Sequence, residues 1–206
     1  MTRTESRHCF FLRILSAILL LPLLAACAGD PPAANVPQSV SFEARPAFRI
    51  PVALVAVDSH FISSGRAPYV EHLHNVSPET IARTWAQTRL VATGGPGKAS
   101  LAILDGTVIS EQLDKKGGLI GIFGDQLDTR LKARLKARLT IEKPDAEGNP
   151  ASWTADVDAT AERTILESAS LNERDEAYAA LMQSLARKFD AALTAEVERS
   201  MGPVLR

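Results

Sequence analysis

A long segment of alternating apolar and polar residues constrains the fold of this chain more than any other feature. The alternation runs over residues 131–142, and a second alternating segment, residues 153–162, follows a cluster of turn-forming residues at 144–150. A period of two is typical of a strand that buries one face. Gly, Pro, Asn and Asp between two such segments favour a turn. The two segments therefore predict a β-hairpin.

A helix is the alternative for the first segment, because it contains strong helix formers. Its leucines recur at a spacing of four, as on one face of a helix: Leu127, Leu131, Leu135 and Leu139. Side-chain pairing distinguishes the two structures, since one antiparallel register places opposite charges side by side on the outer face. These outer pairs are Arg138 with Asp156, Lys136 with Asp158, and Lys132 with Glu162. The same register pairs mostly large with small residues on the inner face: Ile141 with Trp153, Leu139 with Ala155, Ala137 with Val157, and Leu135 with Ala159. A helix explains neither pattern, so we expect the hairpin.

Two more strands and a first helix are predicted upstream of the hairpin. Residues 50–57 form a short apolar run, which suits a strand buried on both faces. Ser77, Pro78 and Glu79 supply an N-cap, a first helical proline and a first-turn acid, so a helix begins there and ends near Leu90. Residues 99–113 alternate and predict a second strand.

A second, longer helix is predicted near the end of the sequence. Ser170 and Glu173 form a capping box, and apolar residues then recur at spacings of three and four until Val197. Gly202 and Pro203 follow as a stop signal. A helix of this length measures roughly 45 Å, so we expect its end to project from the domain.

Together these elements predict an α+β fold in the order β-α-β-β-β-α. The sheet is expected to be mainly antiparallel and four-stranded, with two helices packed on one face.

Composition excludes several classes of function. The formal net charge is −1, which gives no reason to expect a nucleic-acid partner. The row of basic residues at alternate positions from Arg130 to Arg138 is expected to be a solvated strand face that neighbouring acids neutralise. The chain has two cysteines, Cys9 and Cys27, and both lie in or at the end of the N-terminal apolar region. The domain after them therefore has no thiol for a disulfide, for nucleophilic catalysis or for a cysteine-based zinc site.

The remaining polar residues form no metal-binding or catalytic motif. His60, His72 and His74 are the histidines downstream of Cys27, but no acidic cluster stands at a fixed offset from them. Ser63 and Ser64 precede a glycine without the frame of a nucleophile elbow. The glycines at 94–97 are expected to end the first helix rather than to bind phosphate. We therefore expect no catalytic residues, no metal and no small-molecule cofactor.

A glycine-rich apolar segment at residues 117–124 is a candidate surface for a protein partner, and the projecting end of the second helix is the alternative. Glycine makes many backbone conformations accessible, whereas exposed apolar side chains are unfavourable in water. The apolar residues are Leu119, Ile120, Ile122 and Phe123. Two interpretations remain open: a long hairpin loop that folds back on the core, and a loop that docks on a partner or touches lipid.

The N-terminus carries a targeting signal. Arg3 and Arg13 precede a mostly apolar run at residues 14–26, and small residues precede Cys27 in the sequence Leu-Ala-Ala-Cys. The run is shorter than the roughly 20 apolar residues that span a bilayer. This segment resembles the signals of bacterial lipoproteins, and an ordinary secretory signal is the alternative. The resemblance implies that signal peptidase II cuts before Cys27 and that the new N-terminal cysteine is acylated. Ala28, in the position where aspartate would retain a lipoprotein in the inner membrane, implies the periplasmic face of the outer membrane.

The predicted organisation is a signal peptide at 1–26, a lipidated N-terminus with a proline-rich tether at 27–47, and one α+β domain at 48–202. The signal, the order of elements and the spans 77–90 and 99–113 resemble small envelope lipoproteins. These are the auxiliary lipoproteins of ABC-type intermembrane lipid transporters and, more remotely, the lipopolysaccharide-assembly lipoprotein. A tyrosine-rich N-terminal strand associated with the transporter auxiliaries is not evident. The resemblance implies a non-catalytic accessory protein with an envelope protein partner. An envelope enzyme with a hydrolytic site and a purely structural envelope lipoprotein are the alternatives.

Overall fold

The computed structural model describes residues 39–113 and 127–205. Cys27 and the four apolar residues of the 117–124 segment lie outside the described residues, so the predictions about them stay predictions. The strands are β1 (Phe48–Ile50), β2 (Leu54–Ser59), β3 (Leu90–Ala92), β4 (Lys98–Asp105), β5 (Val108–Gln112), β6 (Leu127–Pro144) and β7 (Pro150–Leu166). The helices are α1 (Pro78–Arg89) and α2 (Leu171–Ser200), and a single 3-10 turn spans Glu71–Leu73.

The hairpin of β6 and β7 is the centre of the fold and confirms the register predicted from the sequence. Arg138 lies opposite Asp156 and Leu139 lies opposite Ala155, and the other predicted pairs follow the same register. On the inner face Leu135, Leu139 and Ile141 are fully buried. Large side chains therefore lie opposite small ones at most inner positions of the hairpin.

Strands β4 and β5 pair antiparallel with β6 on its other edge. They lie where the sequence predicted one strand over residues 99–113. Gly106 and Thr107 separate the two strands, and the register with β6 shifts between Ile103 and Asp105. An extra residue of this kind bends a strand, which allows β4 and β5 to follow the twisted β6.

The α+β class with two helices is confirmed, but the five-stranded sheet is mixed because β2 runs parallel to β4. Helix α1 lies between these strands in the chain, and a crossover through a helix lets the second strand run in the same direction as the first. A separate two-stranded sheet pairs β1 with β3, also in parallel. The predicted order β-α-β-β-β-α therefore differs from the observed order β-β-α-β-β-β-β-β-α.

The prediction of one doubly buried strand over residues 50–57 was wrong. The chain leaves β1 at Ile50 and starts β2 only at Leu54, because Pro51 has no N–H to donate to a strand ladder. Strand β2 pairs with β4 alone among the described residues, so it lies at an edge of the sheet. Its Leu54 side chain is accordingly 51% exposed.

Both helices begin where the sequence predicted and pack on the apolar face of the sheet. The Ser77 hydroxyl accepts a hydrogen bond from the Thr80 N–H (3.2 Å), and the Ser170 hydroxyl accepts one from the Glu173 N–H (3.3 Å). The Trp85 ring of α1 meets the Phe189 ring of α2 edge-on at 5.8 Å between centroids. The two helices and the sheet therefore share one core.

The C-terminal end of α2 does not project, contrary to the prediction. Met201 and Val204, which follow the helix, are buried at 0% and 2% exposure. The exposed end is the N-terminal one, where Leu171 is 83% exposed. The helix is long because the hairpin that supports it is long. In the ranges described, no helix has the length and apolarity to cross a membrane.

Candidate functional site

The loop between β2 and α1, residues 60–76, is the candidate functional site among the described residues. It is attached to the edge of the sheet by backbone hydrogen bonds. The His60 N–H donates to the Ile103 carbonyl (2.8 Å), and the Val70 N–H donates to the Val108 carbonyl (2.9 Å). Phe61 packs close to Gly106, where a Cβ would approach its ring to 3.1 Å. The loop therefore has a fixed position on the sheet.

Glu71 is the internal clamp of this loop. Its carboxylate is 3% exposed and lies in the 3-10 turn. One oxygen accepts from the Ser63 hydroxyl at 2.5 Å, and the other accepts from the Val108 N–H at 3.0 Å. Burial of a carboxylate requires such partners. Glu71 thus joins both halves of the loop to β5.

A groove of about 210 Å³ separates this loop from the N-terminal half of α2. Its lining is Val40, Leu73, His74, Asn75, Val76, Asp175, Tyr178, Ala179, Met182 and Gln183. The volume is below the roughly 300–1,000 Å³ of typical small-molecule pockets. The groove therefore suits a side chain or a short apolar segment better than a whole ligand.

His74 and Tyr178 form the wall of the groove. Their rings stack with 3.5 Å between centroids and 16° between planes. Burial lowers the pKa of His74 from its ordinary value, and the charge of Asp175 opposes this shift. Burial, and secondarily the charge of Glu71, raises the pKa of Tyr178, so its hydroxyl stays protonated at neutral pH. Among the described residues this buried hydroxyl has no hydrogen-bond partner.

The hydroxyl groups and histidines that the sequence singled out do not assemble into a catalytic set within the described ranges. Ser63 donates to Glu71, and Ser64 donates to the Arg66 carbonyl at 3.2 Å. His60 and His72 are exposed, whereas His74 stacks on Tyr178. In residues 39–113 and 127–205, no group of three or more His, Cys, Asp or Glu side chains is placed to hold a metal ion.

The basic row on β6 lies on the open face of the sheet, where acids neutralise it as predicted. Arg138 meets Asp156 at 2.7 Å. Two of the ion pairs differ from the predicted ones. Asp158 binds Arg134 at 2.6 Å rather than Lys136, because the arginine reaches it diagonally with two N–H groups. Lys132 turns to Glu111 of β5 at 2.8 Å instead of Glu162.

A buried polar cluster, which the sequence analysis missed, joins both helices to the segment before β1. Asp190 accepts from the Trp85 indole at 2.9 Å and forms ion pairs with Arg89 at 3.3 Å and Arg45 at 3.4 Å. The Arg89 guanidinium is 2% exposed. It donates to the Pro46 carbonyl and to Thr194, and it lies 5.0 Å from the Phe48 ring centroid.

One signal in the sequence could have revealed this cluster. Arg89 follows Ile81 and Trp85 at a spacing of four, so it belongs to the buried stripe of α1. A charged residue on such a stripe requires a buried partner. The cluster fixes the fold, and we assign no chemistry to it.

No family model matches the chain, and no curated protein matches it. The solved structures that are similar to it include two with low TM-scores. The first is a minor lipoprotein from Acinetobacter baumannii, with 17% identity, coverage of 71% of this chain and 92% of that chain, and a TM-score of 0.37. The second is a DUF330 protein from Xanthomonas campestris, with 8% identity, coverage of 78% and 94%, and a TM-score of 0.34. Similarities at this level define neither the fold nor the function of this chain.

Proposed function

We propose that this protein is a lipid-anchored, non-catalytic accessory protein of a bacterial envelope machine that moves or assembles lipid or lipopolysaccharide. The proposal depends chiefly on one observation, the sequence Leu-Ala-Ala-Cys that ends at Cys27 after an apolar run. Acyl chains on this cysteine would hold the domain at the periplasmic face of the outer membrane. Each buried methylene contributes about 0.8 kcal/mol, and stable anchoring takes at least two chains.

The arrangement of the described residues supports binding rather than chemistry. Ser63 donates its hydroxyl proton to the buried Glu71, and His74 is stacked on Tyr178, so no serine–histidine pair that would activate a nucleophile is assembled among the described residues. An accessory protein needs a membrane anchor and a contact surface. We propose that Cys27 carries the anchor and that the apolar residues of the 117–124 segment form the contact surface.

Replacing Cys27 by serine tests the anchor. We expect Cys27→Ser to abolish incorporation of a labelled fatty acid and to leave an unlipidated precursor whose domain still folds, because serine cannot form the thioether. Cys9→Ser is the matched control, since Cys9 lies inside the predicted signal and should leave the labelling intact. Full labelling of the Cys27→Ser variant would contradict the proposal.

The partner is proposed to bind the apolar residues Leu119, Ile120, Ile122 and Phe123. We expect Ile122→Ser with Phe123→Ser to abolish capture of an envelope transport or assembly protein from detergent-extracted membranes. The melting temperature should stay nearly unchanged, because a docking loop contributes little to the core. Unfolding of the variant would mean that these residues belong to the core and that the partner binds elsewhere.

A further inference from the structure

The 60–76 loop exposes two large apolar side chains although its backbone is held in place. Ile62 is 90% exposed and Leu73 is 67% exposed. The hydrogen bond between Ser63 and Glu71 brings their two segments together. Ile62 and Leu73 are two of the three most exposed large apolar side chains among the described residues, and the buried Glu71 carboxylate holds their two segments together as one small apolar patch.

The charge of the loop favours a lipid surface as the covering partner. Glu71 is the single acidic residue among residues 60–76, and it is buried. Arg66 is exposed, and so are His60 and His72. Asp175 of α2 is the acid that lines the groove, and it lies on the wall opposite the loop. The exposed part of the loop thus carries the Arg66 cation and no exposed carboxylate, so its charge favours the approach to anionic headgroups and does not oppose it.

The short chain between the proposed anchor and this groove also favours a lipid surface as the covering partner. Val40 lines the same groove as Leu73. Val40 follows Cys27 by thirteen positions, and that length of chain spans at most about 45 Å. A lipid on Cys27 would therefore keep this side of the domain within reach of the bilayer, where even weak contacts are reinforced by a high effective concentration.

We propose that Ile62 and Leu73 insert into the interfacial region of the bilayer that carries the lipid anchor, and so orient the domain on the membrane. This inference rests on the proposed lipid anchor. A separate protein partner is less suited to this surface, because two apolar side chains beside a groove of 210 Å³ fall short of a standard protein interface.

Single-cysteine variants of the lipidated full-length protein test the proposal. Cys27 is acylated in that protein and Cys9 is removed with the signal, so Ile62→Cys or Leu73→Cys carries the one free thiol. An environment-sensitive dye on this thiol is measured after reconstitution in vesicles of phosphatidylcholine with phosphatidylglycerol. Leu54→Cys and Leu104→Cys are the matched controls, because these leucines are 51% and 37% exposed on other parts of the sheet.

The expected result is a several-fold rise in fluorescence with a blue shift at positions 62 and 73, quenched by spin-labelled lipid, and neither change at positions 54 and 104. Flotation of the same vesicles reports the anchor independently. If the protein floats but all four dyes stay in water, the inference is overturned and the lipid anchor stands. If the protein does not float, the anchor fails and this inference fails with it.

Discussion

At the scale of single residues, burial decides what an ion pair contributes. Arg138 and Asp156 lie in contact on the open face, with about half of each side chain exposed. Water and salt screen such a pair, so its net contribution is small. Asp190 and Arg89 are 14% and 2% exposed, and there the loss of one partner leaves the other charge buried.

Removal of Asp190 should therefore be costly. We expect Asp190→Ala to reduce the free energy of unfolding by about 3–5 kcal/mol, because the buried Arg89 loses its ion-pair partner and the Trp85 indole loses its acceptor. Urea denaturation measures this, with Asp156→Ala as the exposed control that should change the midpoint little. Equal losses in the two variants would show that the Asp190 cluster is solvated.

Gly97, in the turn between β3 and β4, has a steric as well as a conformational role. Gly97 has φ of 94°, and a Cβ there would lie 2.1 Å from the Glu142 carbonyl oxygen. Gly94 has φ of 91° but open space around its missing Cβ. Positive φ costs a non-glycine residue about 1–3 kcal/mol, so both alanine variants should be destabilised. Thermal unfolding should show a clearly greater loss for Gly97→Ala, and equal losses would contradict the close approach of β4 to β6.

His74 should make stability depend on pH. Its folded pKa is lowered by burial from an ordinary value of 6.5, so the unfolded chain takes up the proton first as pH falls. The contribution of His74 to stability is therefore complete above 6.5 and declines as pH drops toward the folded pKa. His74→Phe keeps an aromatic ring against Tyr178 but cannot titrate. The unfolding free energy of the wild type relative to this variant should fall as the pH drops below 6.5 toward the lowered pKa of folded His74. A constant or rising difference would mean that Asp175 outweighs burial.

At the scale of elements, the sequence predicts the features that depend on residues close together in the chain. Both helix starts follow from capping boxes formed within four residues, and the hairpin register follows from charge and size complementarity between two adjacent strands. The parallel pairing of β2 with β4 depends on where the crossover through α1 returns, which no local pattern encodes. The sequence predicted one strand through Pro51, because the apolar run continues past it, whereas the structure has two separate strands there.

The hairpin register can be tested with two neighbouring residues. Ala155 is fully buried opposite Leu139, whereas Thr154 is exposed on the other face. We expect Ala155→Leu to lower the unfolding free energy by about 1–3 kcal/mol, because extra methylenes overpack the core. Thr154→Leu should be nearly neutral. A shift of the register by one residue would reverse this order in chemical denaturation.

At the scale of the whole molecule, the described residues form a sheet with one apolar, helix-covered face and one ion-paired, solvated face. The sequence placed neither Ile62 nor Leu73 in a candidate site, because their exposure depends on how Glu71 and β5 hold the loop. The groove was equally invisible, since it joins residues from three distant parts of the chain: Val40, His74 and Tyr178. Cys27 is different, because the proposed acylation depends on its immediate sequence context.

The intact mass of the protein purified from bacterial membranes tests the proposed lipid anchor most directly. The account predicts a mature chain that begins at Cys27 and carries a diacylglyceryl group with a further N-linked acyl chain. An unmodified chain, or one whose N-terminus lies at another residue, would contradict it.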